Sequence, residues 1–335
     1  MTSSMLRTAV QHIRSAFDRN NERSLYRTAG SKTVELAFES LSRAGRLDPR
    51  LRPDRHGLEV VRNIPYLDDG SPAHLLDVYT PIRARRPMPI VMYVHGGGFR
   101  ILSKDSHWPF GVMFGRKGYL VFNVNYRLAP AHPFPAAIED TCAAYRWVVA
   151  HAERYGGDSN RIVVAGESAG GNLVTSLAMT TSIRRHEPYA RETFDTAVTP
   201  KAVWAACGLH QVTQPDRFWR DKPMSQLVRN RIEAVCNGYL PQGGSRDPVF
   251  FANPLPSLEG GVTLDRPMPP FYLSAGTGDP IEEDTRRLEA VLRKMGVPCE
   301  ARYDHGEPHA YQAMLWKAST KALWRSTHQF LERHV

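Results

Sequence analysis

Cysteine is scarce in this chain of 335 residues, and its few thiols are widely separated. No C-x-x-C pair occurs, which argues against a zinc site or a framework of disulfide bonds and is typical of a reducing compartment. We therefore predict buried, unreactive thiols, no bound metal and a cytoplasmic location. The cysteines are Cys142, Cys207, Cys236 and Cys299.

Long apolar runs are also absent, because no stretch approaches the roughly 20 residues that a membrane-spanning helix needs. The net charge of +9 raises the question of a nucleic-acid partner. However, the Lys and Arg residues are scattered, and the short cluster "RARR" at 83–86 has no interleaved aromatic residues. We therefore predict neither a membrane span nor nucleic-acid binding.

The first 55 residues carry more than half of the net charge. Eleven Lys and Arg face six Asp and Glu there, a net of +5 (11 − 6), and the opening "MTSSMLRTAVQHIRSAF" has apolar residues at helical spacing with arginines between them. Such a segment fits a targeting peptide, a helix on a membrane surface or a cap over a pocket. It lacks the continuous apolar core of a secretory signal, and we interpret it as a cap or packing helix.

From residue 59 onward, short β-rich runs alternate with longer helical ones. Near-continuously apolar strands alternating with helices predict a mostly parallel sheet of eight strands with helices on both faces. The stretch 209–262 interrupts this rhythm with Gln, Arg, Trp and Pro and has no clear strand. We predict a catalytic domain over 56–208 and 263–335, and a helical cap formed by 1–55 and 209–262.

The stretch "VVAGESAGGNL" (163–173) has the strand–turn–helix context of a nucleophile elbow. Glycines two residues before and two residues after Ser168 leave room for a tight turn that presents the serine hydroxyl. The helix that follows directs its amide groups toward any negative charge formed there. Ser168 is therefore the candidate nucleophile.

Three consecutive glycines follow His95 at the end of an upstream strand, in "VMYVHGGGF". An ester carbonyl attacked by serine develops a negative oxygen that needs amide donors, and glycine lets the backbone approach it without a side chain in the way. No Lys-Ser/Thr follows, as a phosphate-binding P-loop would require. We assign the oxyanion donors to the amides of Gly97, Gly98 and Ala169.

A serine nucleophile needs a base, and the base needs an acid to orient it. In this fold the acid and then the base follow the serine along the chain. Asp279 comes just after an apolar strand in "LSAGTGDPIEED", with Glu282, Glu283 and Asp284 as rivals that we expect to lie in the following helix and face solvent. Two candidate bases, His305 and His309, follow the last predicted strand; a metal pair four residues apart is an alternative, which we do not favour without a third ligand.

Taken together, "HGGGF", "NYRLAPAHPFPAAIED", "RIVVAGESAGGNL" and "GDP", with a histidine 30 residues after the aspartate (309 − 279), resemble the hormone-sensitive-lipase-like family of α/β-hydrolase esterases. The resemblance runs from about residue 59 to the end and implies the α/β-hydrolase fold. It also implies that Ser168 is the nucleophile, His309 rather than His305 the general base, and Asp279 its orienting acid. The oxyanion donors implied are again Gly97, Gly98 and Ala169.

The chain departs from the family's usual pattern at two places near these residues. Glu167 precedes the nucleophile where the family commonly has Asp, and the catalytic histidine is followed by Ala310-Tyr311 instead of Gly-Phe. The resemblance further implies structural roles beneath the glycine loop for His95, Tyr126 and Arg127.

The resemblance implies a serine carboxylic-ester hydrolase for short- to medium-chain acyl esters that uses no cofactor or metal. An arylformamidase or other amidase on the same triad is an alternative, as is a non-catalytic ligand receptor on this fold, although such receptors typically lack the histidine. The expected partner is a small-molecule ester. Related esterases are often dimers, and contact of the basic N-terminus with a membrane surface is a further alternative.

Overall fold

The computed structural model describes residue 49 and residues 52–220, 222–241 and 249–335. Its centre is one sheet whose strands coincide with the eight predicted from the sequence. The strands are β1 (Leu58–Pro65), β2 (Leu75–Pro81), β3 (Met88–Val94), β4 (Leu120–Val124), β5 (Gly157–Glu167), β6 (Ala202–Ala206), β7 (Phe271–Gly276) and β8 (Cys299–Asp304).

The strand order across the sheet is β1-β2-β4-β3-β5-β6-β7-β8. β2 pairs antiparallel with both β1 and β4, and the remaining neighbours pair in parallel. Because parallel strands end at the same edge, the loops after β3, β5, β7 and β8 meet at one edge of the sheet. This edge carries every residue that the sequence analysis assigned to the site.

Helices lie on both faces of the sheet. Alternate residues of β3 divide between two buried clusters: Ile90 and Met92 pack on one face, and Val91 and Tyr93 pack on the other. The helices are α1 (Trp108–Gly115), α2 (Ala136–His151), α3 (Ala169–Ser182), α4 (Pro188–Asp195), α5 (Arg217–Arg220), α6 (Gln226–Tyr239), α7 (Pro254–Glu259), α8 (Glu282–Lys294) and α9 (Ala318–Glu332).

The C-terminal helix begins only at Ala318, nine residues after His309. Ala310 has φ of +58°, in the left-handed region, and only a short 3₁₀ turn (Tyr311–Ala313) follows. A right-handed helix cannot include a left-handed residue without breaking. The chain therefore completes a loop around His309 before the helix starts.

Between β6 and β7 the described residues of 209–262 form helices α5, α6 and α7 and no strand. The predicted N-terminal helix and most of the predicted N-terminal cap lie outside the described residues. In the part of the chain that the structure covers, no helix is both long enough and apolar enough to cross a bilayer.

Candidate active site

Ser168 occupies the sharp turn between β5 and α3. Its backbone has φ of +55° and ψ of −117°, a conformation that non-glycine residues rarely adopt. The neighbouring glycines make the turn possible: a Cβ on Gly166 would lie 2.6 Å from the backbone of Gly170, and a Cβ on Gly170 would collide with the carbonyl of Val94. The strained turn holds the serine hydroxyl at the mouth of a cavity, as the motif predicts.

His309 lies between Ser168 and Asp279. Its Nε2 is 3.0 Å from Ser168 Oγ, and its Nδ1 is 2.8 Å from Asp279 Oδ2. The Asp279 side chain is fully buried, and its second oxygen accepts a hydrogen bond of 2.9 Å from the backbone amide of Ile281. The structure therefore brings together the three side chains assigned from the sequence, whereas His305 is exposed and takes no part.

The surroundings of His309 favour its protonated form. Burial opposes the charge on the imidazolium, but the adjacent Asp279 carboxylate outweighs it, so the pKa of His309 is raised well above its ordinary value. A histidine of this kind is a strong base once its proton has been removed. It can take the proton from Ser168 and hold it beside the carboxylate.

The glycine loop after β3 faces the serine. Gly97 has φ of +110° and Gly98 has φ of +60°, so both need the conformational freedom of glycine. Ala169 is the first residue of α3, and its amide has no partner within the helix. Among the described residues, none of these three amides donates to a protein acceptor.

Glu167 is buried directly beneath the glycine loop. Its Oε1 accepts a hydrogen bond of 2.6 Å from the amide of Gly96 and lies 2.8 Å from His107 Nε2, while the hydroxyl of Tyr93 donates to Oε2. Burial alone would raise the pKa of Glu167, but His107 and these hydrogen bonds lower it below its usual value. The Glu167 carboxylate thus connects the glycine loop to the turn that carries Ser168.

His95 and Tyr126 support the same loop from below. The rings stack with centroids 4.3 Å apart, and the Tyr126 hydroxyl donates to the carbonyl of His95 at 2.9 Å. Burial, with a contribution from His107, lowers the pKa of His95 to about 3. This histidine therefore stays neutral and has a structural role, as does Arg127, which is paired with Asp140.

The expectation that the rival acids face solvent is wrong for Asp284. Glu283 is exposed, but Asp284 is completely buried at the start of α8. There it forms an ion pair of 2.8 Å with Arg217 and accepts a hydrogen bond from the backbone amide of Gln211. The arginine comes from the segment between β6 and β7, a long-range partner that local sequence does not reveal.

Three other residues near the triad were not predicted from the sequence. Tyr93 and His107 hold Glu167, and nothing in their local sequence pattern marks them. Cys207 lies just after β6, and ligand atoms of Cys207, Asp279 and His309 lie within 4.8 Å of one another. Such a set could hold a soft metal only if the hydrogen bond between Asp279 and His309 were broken. The four cysteines are free; three are buried and Cys299 is partly exposed.

The site opens into a cavity of about 360 Å³. Its lining includes the glycine loop, Ser168, His309 and one face of α6. Most of the lining is apolar, and its size lies toward the lower end of the range of about 300–1,000 Å³ for small-molecule sites. Apolar lining residues include Ile101, Leu102, Leu209, Val228, Val235 and Ile281.

Comparison with known proteins gives a consistent result. A family model described as alpha/beta hydrolase fold matches residues 91–313. Carboxylesterase NlhH of Mycobacterium tuberculosis is 31% identical over 83% of this chain and 82% of its own length. Hormone-sensitive lipase of Mus musculus is 39% identical over 100 residues, which are 30% of this chain and 13% of that protein. Among solved structures, a bacterial heroin esterase superposes with a TM-score of 0.73 at 25% identity, covering 91% of this chain and 92% of its own.

Proposed function

The chain belongs to the α/β-hydrolase family, within its hormone-sensitive-lipase-like esterases, and is a carboxylesterase; we propose that it works through Ser168, His309 and Asp279 on short- to medium-chain acyl esters. One observation carries this proposal. A serine hydroxyl, an imidazole and a buried carboxylate are joined by contacts of 3.0 Å and 2.8 Å, near three amides that have no acceptor within the described part of the chain.

In the first half of the reaction, Ser168 Oγ attacks the ester carbonyl while His309 Nε2 takes the hydroxyl proton. The carbonyl oxygen becomes negative and accepts hydrogen bonds from the amides of Gly97, Gly98 and Ala169. Loss of one such donor typically costs about 2.7–4 kcal/mol of transition-state stabilisation. The intermediate collapses, the C–O bond to the alcohol breaks, and the alcohol leaves with the proton from His309.

In the second half, water replaces the alcohol. His309 removes a proton from the water, which attacks the acyl-enzyme carbonyl, and Ser168 regains its proton as the acid leaves. Asp279 keeps the imidazole in the correct tautomer and stabilises its charged form without itself becoming protonated. Apart from this water, every group that acts in the scheme is a side chain or a backbone amide of the chain.

The cavity supports the choice of substrate length. Its apolar lining favours a hydrocarbon acyl chain over a chain with polar groups, and its volume of about 360 Å³ suits a small ester. Kinetics on a series of p-nitrophenyl esters from acetate to palmitate would test this. We expect kcat/KM to be highest for butanoate to octanoate and to fall for longer chains.

The Ser168→Ala variant, measured on the same series, tests the nucleophile. We expect a loss of at least about 10³-fold in kcat, because removing a triad nucleophile leaves only binding and the oxyanion hole. Turnover that survives in this variant would refute the assignment. N-formylkynurenine in the same assay separates an esterase from a formamidase: faster turnover of the formamide than of p-nitrophenyl butanoate would overturn the proposed substrate class.

A further inference from the structure

Arg231 brings a positive charge into a cavity whose walls are otherwise mostly apolar. It lies near the middle of α6 and lines the cavity together with Val228 and Val235 from the same helix, and with Ser168 and His309. The residue is partly buried. Because Arg231 lines the same cavity as Ser168 and His309, it can contact a substrate bound there.

The other charged groups that line the cavity do not neutralise this arginine. Glu167 is occupied by Gly96, His107 and Tyr93. Within the described residues, no carboxylate forms an ion pair with Arg231. Its pKa is lowered by burial and by the nearby positive charge of Arg100, so among the described residues the surroundings add a second cation and no anion.

A partly desolvated cation without a counter-charge is unfavourable, and a bound anion would relieve this. Arginine suits a carboxylate in particular, because its planar guanidinium can donate two parallel hydrogen bonds. Building on the proposed esterase function, we infer that Arg231 binds a carboxylate of the substrate, so that the preferred esters are anionic. Arg231 is then a specificity-determining residue and takes no part in the chemistry.

The position of α6 sets the distance between this carboxylate and the ester. Val235 packs so closely against the glycine loop that a Cβ on Gly98 would lie 2.6 Å from the Cγ2 of Val235. Arg231 is four residues earlier, about 6 Å along the helix axis at 1.5 Å per residue. The anionic group therefore belongs several bonds away from the ester, either at the end of the acyl chain or on the alcohol.

Two pairs of esters that differ by a single carboxylate group test the inference and distinguish these sources. Monoethyl adipate against ethyl hexanoate places the carboxylate on the acyl side, and 3-(butanoyloxy)benzoate against phenyl butanoate places it on the alcohol side. The readout is the ratio of kcat/KM within each pair, for the wild type, Arg231→Met, Arg231→Lys and the control Arg229→Met. Arg229 is on the same helix but bonds to the carbonyl of Met224 and does not line the cavity.

We expect the wild type to prefer the anionic ester of one pair by on the order of 10-fold, the value of one hydrogen bond to a charged group. Arg231→Met should abolish this preference through KM, Arg231→Lys should keep part of it, and Arg229→Met should leave it intact. Because a remote carboxylate binds equally in the ground and transition states, kcat should change little.

Two results would overturn the inference: a wild type without preference in either pair, which does not depend on the folding of any variant, or a preference that Arg231→Met retains. The proposed function fails separately. It fails if the wild type hydrolyses none of the four esters, or if Ser168→Ala hydrolyses them as well as the wild type does.

Discussion

Asp279 and Asp284 are five residues apart, and both carboxylates are fully buried, yet they are held in different ways. Asp279 is held by the amide of Ile281 and by His309, a group that can gain and lose a proton. Asp284 is held by Arg217, a permanent cation, and by the amide of Gln211. One carboxylate is thus coupled to a titrating group, and the other is fixed in an ion pair.

This difference indicates that one carboxylate acts in the reaction and the other stabilises the fold. Asp279 sits in the loop after β7, at the carboxyl edge of the sheet, where its partner can exchange a proton with Ser168. Asp284 is the third residue of the next helix, and its ion pair with Arg217 connects α8 to α5. We therefore expect changes at Asp279 to affect catalysis and changes at the Asp284 pair to affect stability.

Asp279→Asn should produce the largest effect on rate. An amide cannot stabilise the imidazolium and favours the wrong tautomer of His309, which costs about 10⁴-fold in kcat in a comparable serine hydrolase. The pH profile of kcat/KM also has a defined sign. In the wild type, we expect activity to fall as the pH drops through the raised pKa of His309, because the imidazolium cannot accept a proton.

In Asp279→Asn, the acid limb of the remaining activity should move to lower pH, since the carboxylate no longer favours the imidazolium. Glu283→Gln is the matched control. Glu283 is an exposed carboxylate four residues after Asp279, and its replacement should leave both the rate and the pH profile unchanged. Full activity in Asp279→Asn, or an acid limb that stays in place, would contradict the assignment of Asp279.

Local patterns were sufficient to predict the strands, Ser168 and Asp279, whereas the choice of His309 over His305 came from the resemblance to the esterase family. Ser168 and Asp279 each follow an apolar strand, whereas β8, which precedes His309, has the mixed sequence CEARYD. The environment of Asp284 depends on a contact with Arg217 across 67 residues of sequence, which periodicity does not encode. The left-handed backbone of Ala310 is a similar case, because alanine gives no signal for such a turn.

Arg217→Met should produce the second-largest effect, on stability. It breaks the close ion pair of the buried Asp284 carboxylate and leaves only Arg287, 4.0 Å away, as a counter-charge; breaking a buried pair typically costs about 3–5 kcal/mol. Burial raises the pKa of Asp284 to about 6 despite Arg217, which is above the ordinary value of an aspartate. The folded state therefore binds this proton more tightly than the unfolded state does, and the free energy of unfolding falls as the pH rises through that value. Urea unfolding should therefore show a larger loss at pH 8 than at pH 5, where the carboxyl group is protonated.

Two controls sharpen this prediction. Arg220→Met removes an exposed arginine paired with Asp216 and should cost less than about 1 kcal/mol. The double change Arg217→Met with Asp284→Leu replaces the ion pair by apolar side chains and should recover much of the lost stability. A loss in Arg217→Met that is independent of pH would refute the role given to the buried carboxylate.

Glu167 stands between these two cases, since it is a buried carboxylate that touches neither the reacting atoms nor a permanent cation. Its motif position predicts only that it precedes the nucleophile. Its partners are Tyr93 in β3, Gly96 in the loop after β3 and His107 just before α1. They come together only through the packing of the sheet edge. Glu167 is therefore a positioning residue for the glycine loop.

Glu167→Gln should give the smallest effect, a fall in kcat of roughly 10-fold, close to the value of one charge-assisted hydrogen bond. The amide oxygen can still accept from Gly96, but the weaker bond lets the oxyanion donors drift, and a transition-state interaction is lost. KM should therefore stay nearly constant. Steady-state kinetics on p-nitrophenyl butanoate would check this, with Glu139→Gln on the partly exposed carboxylate beside Arg127 as the matched control. An increase in KM at unchanged kcat would instead place Glu167 in substrate binding.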